Sequence, residues 1–187
     1  MGMISRYISD LISVLGKIPS DEVEEVVDII MEAREKGKRV FIMGNGGSAA
    51  TSSHFANDLS KGVSASGHRG VAAIALTDNV PLITAWANDS SYDDIFVEQL
   101  KPLLSEGDVV IGISGSGRSR NVLKAISYAN EVGAITIGFS GYDGGELARV
   151  VRKSVVIPDD CMERIEDSHL ILGHAIASAI RERLRSG

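Results

Sequence analysis

Between positions 39 and 157 the chain alternates short runs of β-branched and aliphatic residues with longer stretches whose apolar positions recur at helical spacing. The runs at 39–43, 71–76, 109–113, 134–139 and 154–157 predict strands. The stretches at 48–60, 80–88, 92–104, 119–131, 144–149 and 162–185 predict helices. Apolar residues fall on both faces of each run, so the strands read as buried on both sides, as in a parallel sheet covered by helices. Ahead of this unit, Ile4, Ile8, Leu11, Ile12 and Leu15 mark an amphipathic helix over 3–17, and Val23, Val26, Val27, Ile30 and Met31 mark a second over 21–36. Ser20 stands where an N-cap would fall, with Glu22, Glu24 and Glu25 in the first turn, where the helix dipole favours carboxylates. The expected fold is α/β: a doubly wound five-stranded parallel sheet flanked by helices, preceded by an N-terminal helical hairpin, in one domain over 1–187.

Two predicted strands run straight into turns of unusual composition. The first continues as Gly44-Asn45-Gly46-Gly47-Ser48 at the head of a helix. Glycines admit close backbone approach there, and the amides of the helix N-terminus favour an anion. The second, at 109–113, runs into Ser114-Gly115-Ser116-Gly117-Arg118-Ser119. Read alone, either is an ordinary βα turn. Together, at the carboxyl ends of two strands of one sheet, they predict a phosphate held by amides and neutral serine hydroxyls. Arg118 is a candidate for added charge. The spacing fits neither a Walker loop nor the G-x-G-x-x-G dinucleotide turn. A third turn, 140–145, reads as structural, because Asp-Gly-Gly is common turn chemistry.

Composition narrows the partners. The net charge of −6 and an aromatic content of 5% argue against direct nucleic-acid binding, which calls for a basic footprint. No run of apolar residues is long enough to predict a membrane span. A single cysteine, Cys161, rules out an intrachain disulfide and, with no signal peptide, fits a reducing cytoplasm. Hydrophobic residues make up 44%, so the core is expected to be aliphatic, with Trp86 in the core or at an interface.

Acid–base chemistry has its own candidates. His54 and Asp58 are four residues apart on one predicted helix, and Glu166, Leu170 and His174 repeat that spacing on the last one. Each pair taken singly is an ordinary surface contact. Two helices that each offer a histidine and a carboxylate predict an acid–base pair or a four-ligand metal site. His169 reads as a surface or packing histidine, and His68, in the polar loop 64–69, carries no signal.

The chain resembles the sugar isomerase (SIS) domain family. The resemblance rests on residues 44–48, His54-Phe55-Ala56, Ala87-Asn88-Asp89, the 112–117 turn with Asn121-Val122, the 141–145 turn, Arg164-Ile165 and His174, and it covers nearly the whole chain. It implies aldose–ketose interconversion of a sugar phosphate through an enediol, with a seven-carbon sugar as the first expectation. It implies that Asn45, Ser48, Ser114, Ser116 and Ser119, with Gly46, Gly47 and Gly115, bind the phosphate end. Asp89 would meet sugar hydroxyls. Asp58 would act as base and His174 as acid. Zinc would be held by His54, Asp58, Glu166 and His174, with Glu166 also facing substrate. The resemblance further implies a homotetramer in which 1–36 builds the central bundle, 37–187 forms the phosphosugar-binding core, and active sites lie between subunits. Other functions carried by this scaffold are isomerisation of a different sugar phosphate and a non-catalytic sensing or adaptor role.

The sequence departs from the family at the site. Asp58 stands where a glutamate is usual, Glu166 where a glutamine is usual, and Glu163 at a nearby aspartate position. Asp58 is one methylene shorter, which draws a base back by roughly 1 Å. The segment 59–62 offers Lys61 where the family commonly has an arginine.

Overall fold

The computed structural model describes residues 2–64 and 67–186. The polar loop 64–69 therefore lies partly outside the described residues. Eight helices and five strands run in the order α1 (Met3–Leu15), α2 (Ser20–Glu35), β1 (Arg39–Gly44), α3 (Gly47–Asn57), β2 (Ala72–Ala75), α4 (Val80–Asp89), α5 (Val97–Leu100), β3 (Val109–Ile113), α6 (Arg120–Val132), β4 (Ile135–Ser140), α7 (Leu147–Val150), β5 (Lys153–Val156) and α8 (Met162–Ser186) among these residues.

All neighbouring strands are parallel, in the order β2-β1-β3-β4-β5. The chain steps outward from β1 to β2, then crosses to β3 on the other side. The strand order therefore reverses between β1 and β3, and a crevice opens there beyond their carboxyl ends. Alternation along the strands splits the core into two layers. Val40 and Ile42 of β1 pack with Val26, Ile30, Phe55 and Ile176 from α2, α3 and α8, whereas Phe41 and Met43 face Phe96, Leu100, Val122 and Ile126 around α5 and α6. Each fully buried aliphatic side chain contributes about 1.5–3 kcal/mol, so this aliphatic sandwich holds the crevice rigidly.

Several expectations are corrected. The central strands β1, β3 and β4 are buried on both faces, but β2 is an edge strand with Ile74 exposed, because nothing pairs beyond it among the described residues. The helix expected over 92–104 is a 3₁₀ turn, Tyr92–Asp94, followed by the short α5. The Asp94 carboxylate is drawn aside to Lys124 and to Ser90, and Pro102 cannot supply the amide that a continuing helix needs. The helix expected over 48–60 ends at Asn57 and widens into a π-helical turn, Asp58–Gly62. Ser20 is the first helical residue, and its side chain makes no capping hydrogen bond; Pro19 occupies the cap position.

The N-terminal helices lean on the last one. Tyr7 Oη donates to Asp167 at 2.6 Å, and this bond pushes the phenol up to about 12. On α1 the side chains of Met3, Ile4, Ile8 and Ile12 remain exposed, so much of its predicted apolar face is not used within the chain. No helix among the described residues is long and apolar enough to cross a membrane.

Candidate active site

The two glycine- and serine-rich turns meet at the β1/β3 crevice. A Cβ on Gly44 would stand 2.7 Å from the Ser48 Cβ and 2.9 Å from the Ile113 carbonyl oxygen, so the first turn closes tightly only over glycine. Gly46 then takes φ 55° and ψ −122°, a conformation that favours glycine, and α3 starts at the next residue. Ser48 is buried in the first turn of α3.

In the second turn, the hydroxyls of Ser114 and Ser119 lie 2.9 Å apart, and Ser116 Oγ accepts the Arg118 amide at 3.2 Å. Gly117 has φ 64°, and a Cβ there would collide with the Gly144 carbonyl. The 140–145 turn is a buttress as well as a turn. The Gly141 amide donates to the Gly115 carbonyl at 2.9 Å, and the Leu147 amide to the Gly117 carbonyl at 3.0 Å. Arg118 is not aimed into the crevice. Its Nη2 donates to both oxygens of the exposed Asp143 carboxylate, at 2.8 and 3.0 Å, and ties the two turns together from outside.

Asn45 bridges the turns. Its amide exchanges two hydrogen bonds of 2.9 Å with the amide of Asn121, and its Oδ1 also accepts Tyr92 Oη at 3.0 Å. Asn121 is fixed in turn by the Val122 amide, which donates to its Oδ1 at 2.9 Å. Nothing in the sequence assigns Tyr92 a role. An aromatic residue at the start of a predicted helix gives no sign that its hydroxyl reaches a residue 47 positions away.

The histidine cluster lies farther along α3. A Cβ on Gly173 would stand 3.4 Å from the Phe55 ring, so α8 approaches α3 closely there, and the adjacent residues His174 on α8 and His54 on α3 are brought together. His174 Nε2 and His54 Nε2 are 2.9 Å apart, with Asp58 Oδ2 3.4 Å from His54 and 3.6 Å from His174. Two imidazoles and a carboxylate, with donor atoms all within 4.8 Å of one another, are a zinc-type donor set with room for a further ligand. Asp58 opens the π-helical turn, a distortion that often marks functional positions in helices. Arg181 reaches the same turn: a Cβ on Gly62 would meet Arg181 Nη1 at 3.2 Å and Asp58 Oδ1 at 4.0 Å.

Glu166, expected as a fourth ligand, stands apart from the three grouped donors. The spacing put it on the face of His174, but two helical turns, about 12 Å of rise, separate them. Its carboxylate rests instead over Gly47, where a Cβ would collide with it, at the phosphate end of the crevice. Glu163 accepts from Cys161 at 3.1 Å in the first turn of α8 and does not join the cluster, and Lys61 is exposed. Asp89 ends α4, exposed, with its Oδ1 accepting Asn88 Nδ2 at 2.8 Å.

The Arg164 guanidinium sets the start of α8 by donating to Asp159 at 2.5 and 2.7 Å, which holds the Asp159 carboxyl at about 2. His169 is a packing histidine. It is fully buried beside Phe139, with Nε2 3.2 Å from the Ser140 carbonyl oxygen, and burial pushes it down to about 4. A cavity of about 930 Å³ beside β2 and α4 is lined by Trp86, Ile74, Leu82 and Leu103 and shares no residue with the serine turn or the histidine cluster.

The glycine- and serine-rich turns at the β1/β3 crevice and the imidazole–carboxylate cluster between α3 and α8 fit a phosphosugar-handling α/β protein, and the chain belongs to the SIS domain family, which matches residues 5–141. Among its relatives, the phosphoheptose isomerase of Geotalea daltonii is 39% identical over 170 residues, 91% of this chain and 88% of that protein. The phosphoheptose isomerase of Clostridium acetobutylicum is 37% identical, over 88% of this chain and 83% of that one. The solved phosphoheptose isomerase of Neisseria gonorrhoeae superposes with a TM-score of 0.88 at 29% identity, covering 96% of this chain and 97% of that one.

Proposed function

We propose that this protein is a phosphoheptose isomerase that interconverts sedoheptulose 7-phosphate and D-glycero-D-manno-heptose 7-phosphate. The observation that carries the reading is the placement of both halves of such a site on one helix. Gly47 and Ser48 open α3 at the anion cradle, and His54 and Asp58 close it at the acid–base cluster. From Gly47 to His54 the helix rises about 10 Å, comparable to the reach of an extended seven-carbon sugar phosphate. The relatives' shared name supports the same substrate.

The serine hydroxyls, the Asn45 amide and the α3 amides hold the phosphate without a fixed cation. Charge is met by dipoles, which suits a site that binds and releases. Asp58 removes a proton from C1 of the open-chain ketose while His174 gives one to the C2 oxygen, leaving an enediol. Return of a proton to C2 and loss of the C1 hydroxyl proton then yield the aldose. His54, Asp58 and His174 are the residues that would hold a divalent metal, and zinc fits their donor set. Such an ion, when bound, supplies Lewis-acid polarisation of neighbouring oxygens. Asp89 faces the sugar hydroxyls in this reading, and Glu166 lies close to the phosphate end.

Assembly is part of the proposal. His54 and His174 are each about half exposed, and α1 leaves Ile4, Ile8 and Ile12 at 77%, 53% and 65% exposure. A homotetramer built on α1, with sites closed between subunits, would cover both. The direct experiment is conversion of sedoheptulose 7-phosphate by the purified protein with and without added zinc, beside His174→Ala. Turnover in the parent, abolished in a variant that still binds the ketose phosphate, is the expected result. Binding without turnover in the parent would move the protein to a sensing role.

A further inference from the structure

Tyr92 reaches across the crevice mouth to the phosphate turn. The amide orientations there form one chain with a fixed sense. The Val122 amide donates to Asn121 Oδ1, so Asn121 must present Nδ2 to Asn45 Oδ1 and take Asn45 Nδ2 on its own oxygen. Asn45 Oδ1 then holds two donors, Asn121 Nδ2 and Tyr92 Oη, and both of its lone pairs are used. The Tyr92 proton is thereby committed, and its oxygen is left with acceptor capacity alone. The side chain is 56% exposed, in the 3₁₀ turn that follows Asp89 and packs against α6.

From this geometry we infer that Tyr92 is a substrate-specificity residue whose phenol oxygen accepts a hydrogen bond from a sugar hydroxyl next to the phosphate end. The inference rests on the isomerase reading and deepens it. A phosphate oxygen carries no proton to give at neutral pH, so an acceptor-only oxygen at this position discriminates for the polyol and is indifferent to the anion. Tyr92 thus adds a second hydroxyl-reading group beside Asp89, on the segment that links α4 to α5.

The test compares wild-type protein, Tyr92→Phe and Tyr92→Leu for kcat and KM with sedoheptulose 7-phosphate, and for competitive inhibition by inorganic phosphate. A lost hydrogen bond between neutral groups corresponds to about three- to tenfold. Tyr92→Phe is expected to raise KM by that factor, with kcat within about twofold and phosphate inhibition unchanged. Tyr92→Leu is expected to raise KM at least as much. An unchanged KM in Tyr92→Phe overturns the inference. So does an equal loss of phosphate inhibition, which would mean that Tyr92 only steadies Asn45. If the wild-type protein does not turn over, the isomerase reading fails separately. Calorimetric titration of the ketose phosphate and of inorganic phosphate then reads the same contrast as affinities.

Discussion

His174 Nε2 and His54 Nε2 stand 2.9 Å apart, with Asp58 Oδ2 within 3.6 Å of both, although the two histidines are 120 positions apart in the chain. Two ring nitrogens at that distance either share a proton or turn their lone pairs to a common cation. With a carboxylate alongside, the three side chains have the chemistry that the proposed proton transfer and metal binding call for.

Zinc is therefore expected to stabilise the folded protein. At a free concentration one hundred times its dissociation constant, a ligand that binds only the native state adds about 2.7 kcal/mol, roughly 5–10 °C in Tm for a chain of this size. Thermal unfolding with zinc, and again after chelation, checks this. The shift is expected to vanish in His54→Ala and in His174→Ala; a shift that persists in both places the ion elsewhere.

Gly117 and Gly46 both have positive φ but differ in surroundings. At Gly46, φ is 55° and ψ −122° and a Cβ would meet nothing within 4 Å, so alanine there faces only backbone strain of about 1–3 kcal/mol. At Gly117 a Cβ collides with the rigid Gly144 carbonyl. Gly117→Ala is expected to lose more than about 2 kcal/mol and to weaken inorganic phosphate binding by displacing Ser116, in denaturant titration and calorimetry respectively. Equal effects of the two substitutions would contradict the buttressing by the 140–145 turn.

Acid sensitivity follows from His169. Its folded value near 4 lies below the usual 6.5, because burial disfavours the charged ring. The unfolded chain takes up the proton first, so the stabilisation is complete above about pH 6.5 and is lost as the pH falls toward 4. Between pH 7 and 5 the loss is about 2 kcal/mol. His169→Phe, although it gives up the bond to the Ser140 carbonyl, is expected to flatten stability over this interval by that amount. Identical pH slopes in the variant and the parent would refute the assignment.

The exposed α1 face makes a claim about assembly. Replacing Ile8 and Ile12 by glutamate puts charge on side chains that make little contact within the chain, so folding is expected to survive while the proposed tetramer falls apart to a smaller mass. Light scattering that shows the same mass for parent and variant would remove α1 from the interface.

Much of this site could be read from the chain because strand-to-helix turns are local. Gly44 to Ser48 and Ser114 to Ser119 each carry their chemistry within a few residues, and the apolar runs of β1, β3 and β4 show plainly why those turns lie at the ends of a buried sheet. Relations across the fold were less visible. Glu166 and His174 share a helix face, yet rise along the axis sends one to the phosphate end and the other to the cluster. The helix read over 92–104 was suggested by Ile95, Phe96, Val97 and Leu100 at helical spacing, but the pull of Lys124 and Ser90 on Asp94 is tertiary and leaves no local trace. Tyr92 escaped notice for the same reason, since its partner Asn45 belongs to another βα unit.

The most direct test of the central claim, proton transfer at the His54–Asp58–His174 cluster, is isomerisation of sedoheptulose 7-phosphate in deuterium oxide, followed by NMR of the product. Asp58 is 19% exposed and the two histidines about half exposed in the single chain, and a proton held on the Asp58 carboxyl while the enediol persists exchanges with water before its return. The account predicts deuterium at C2 of the aldose, with no product formed by His174→Ala or Asp58→Asn. Product carrying only the original hydrogen at C2, or undiminished turnover in either variant, would contradict it.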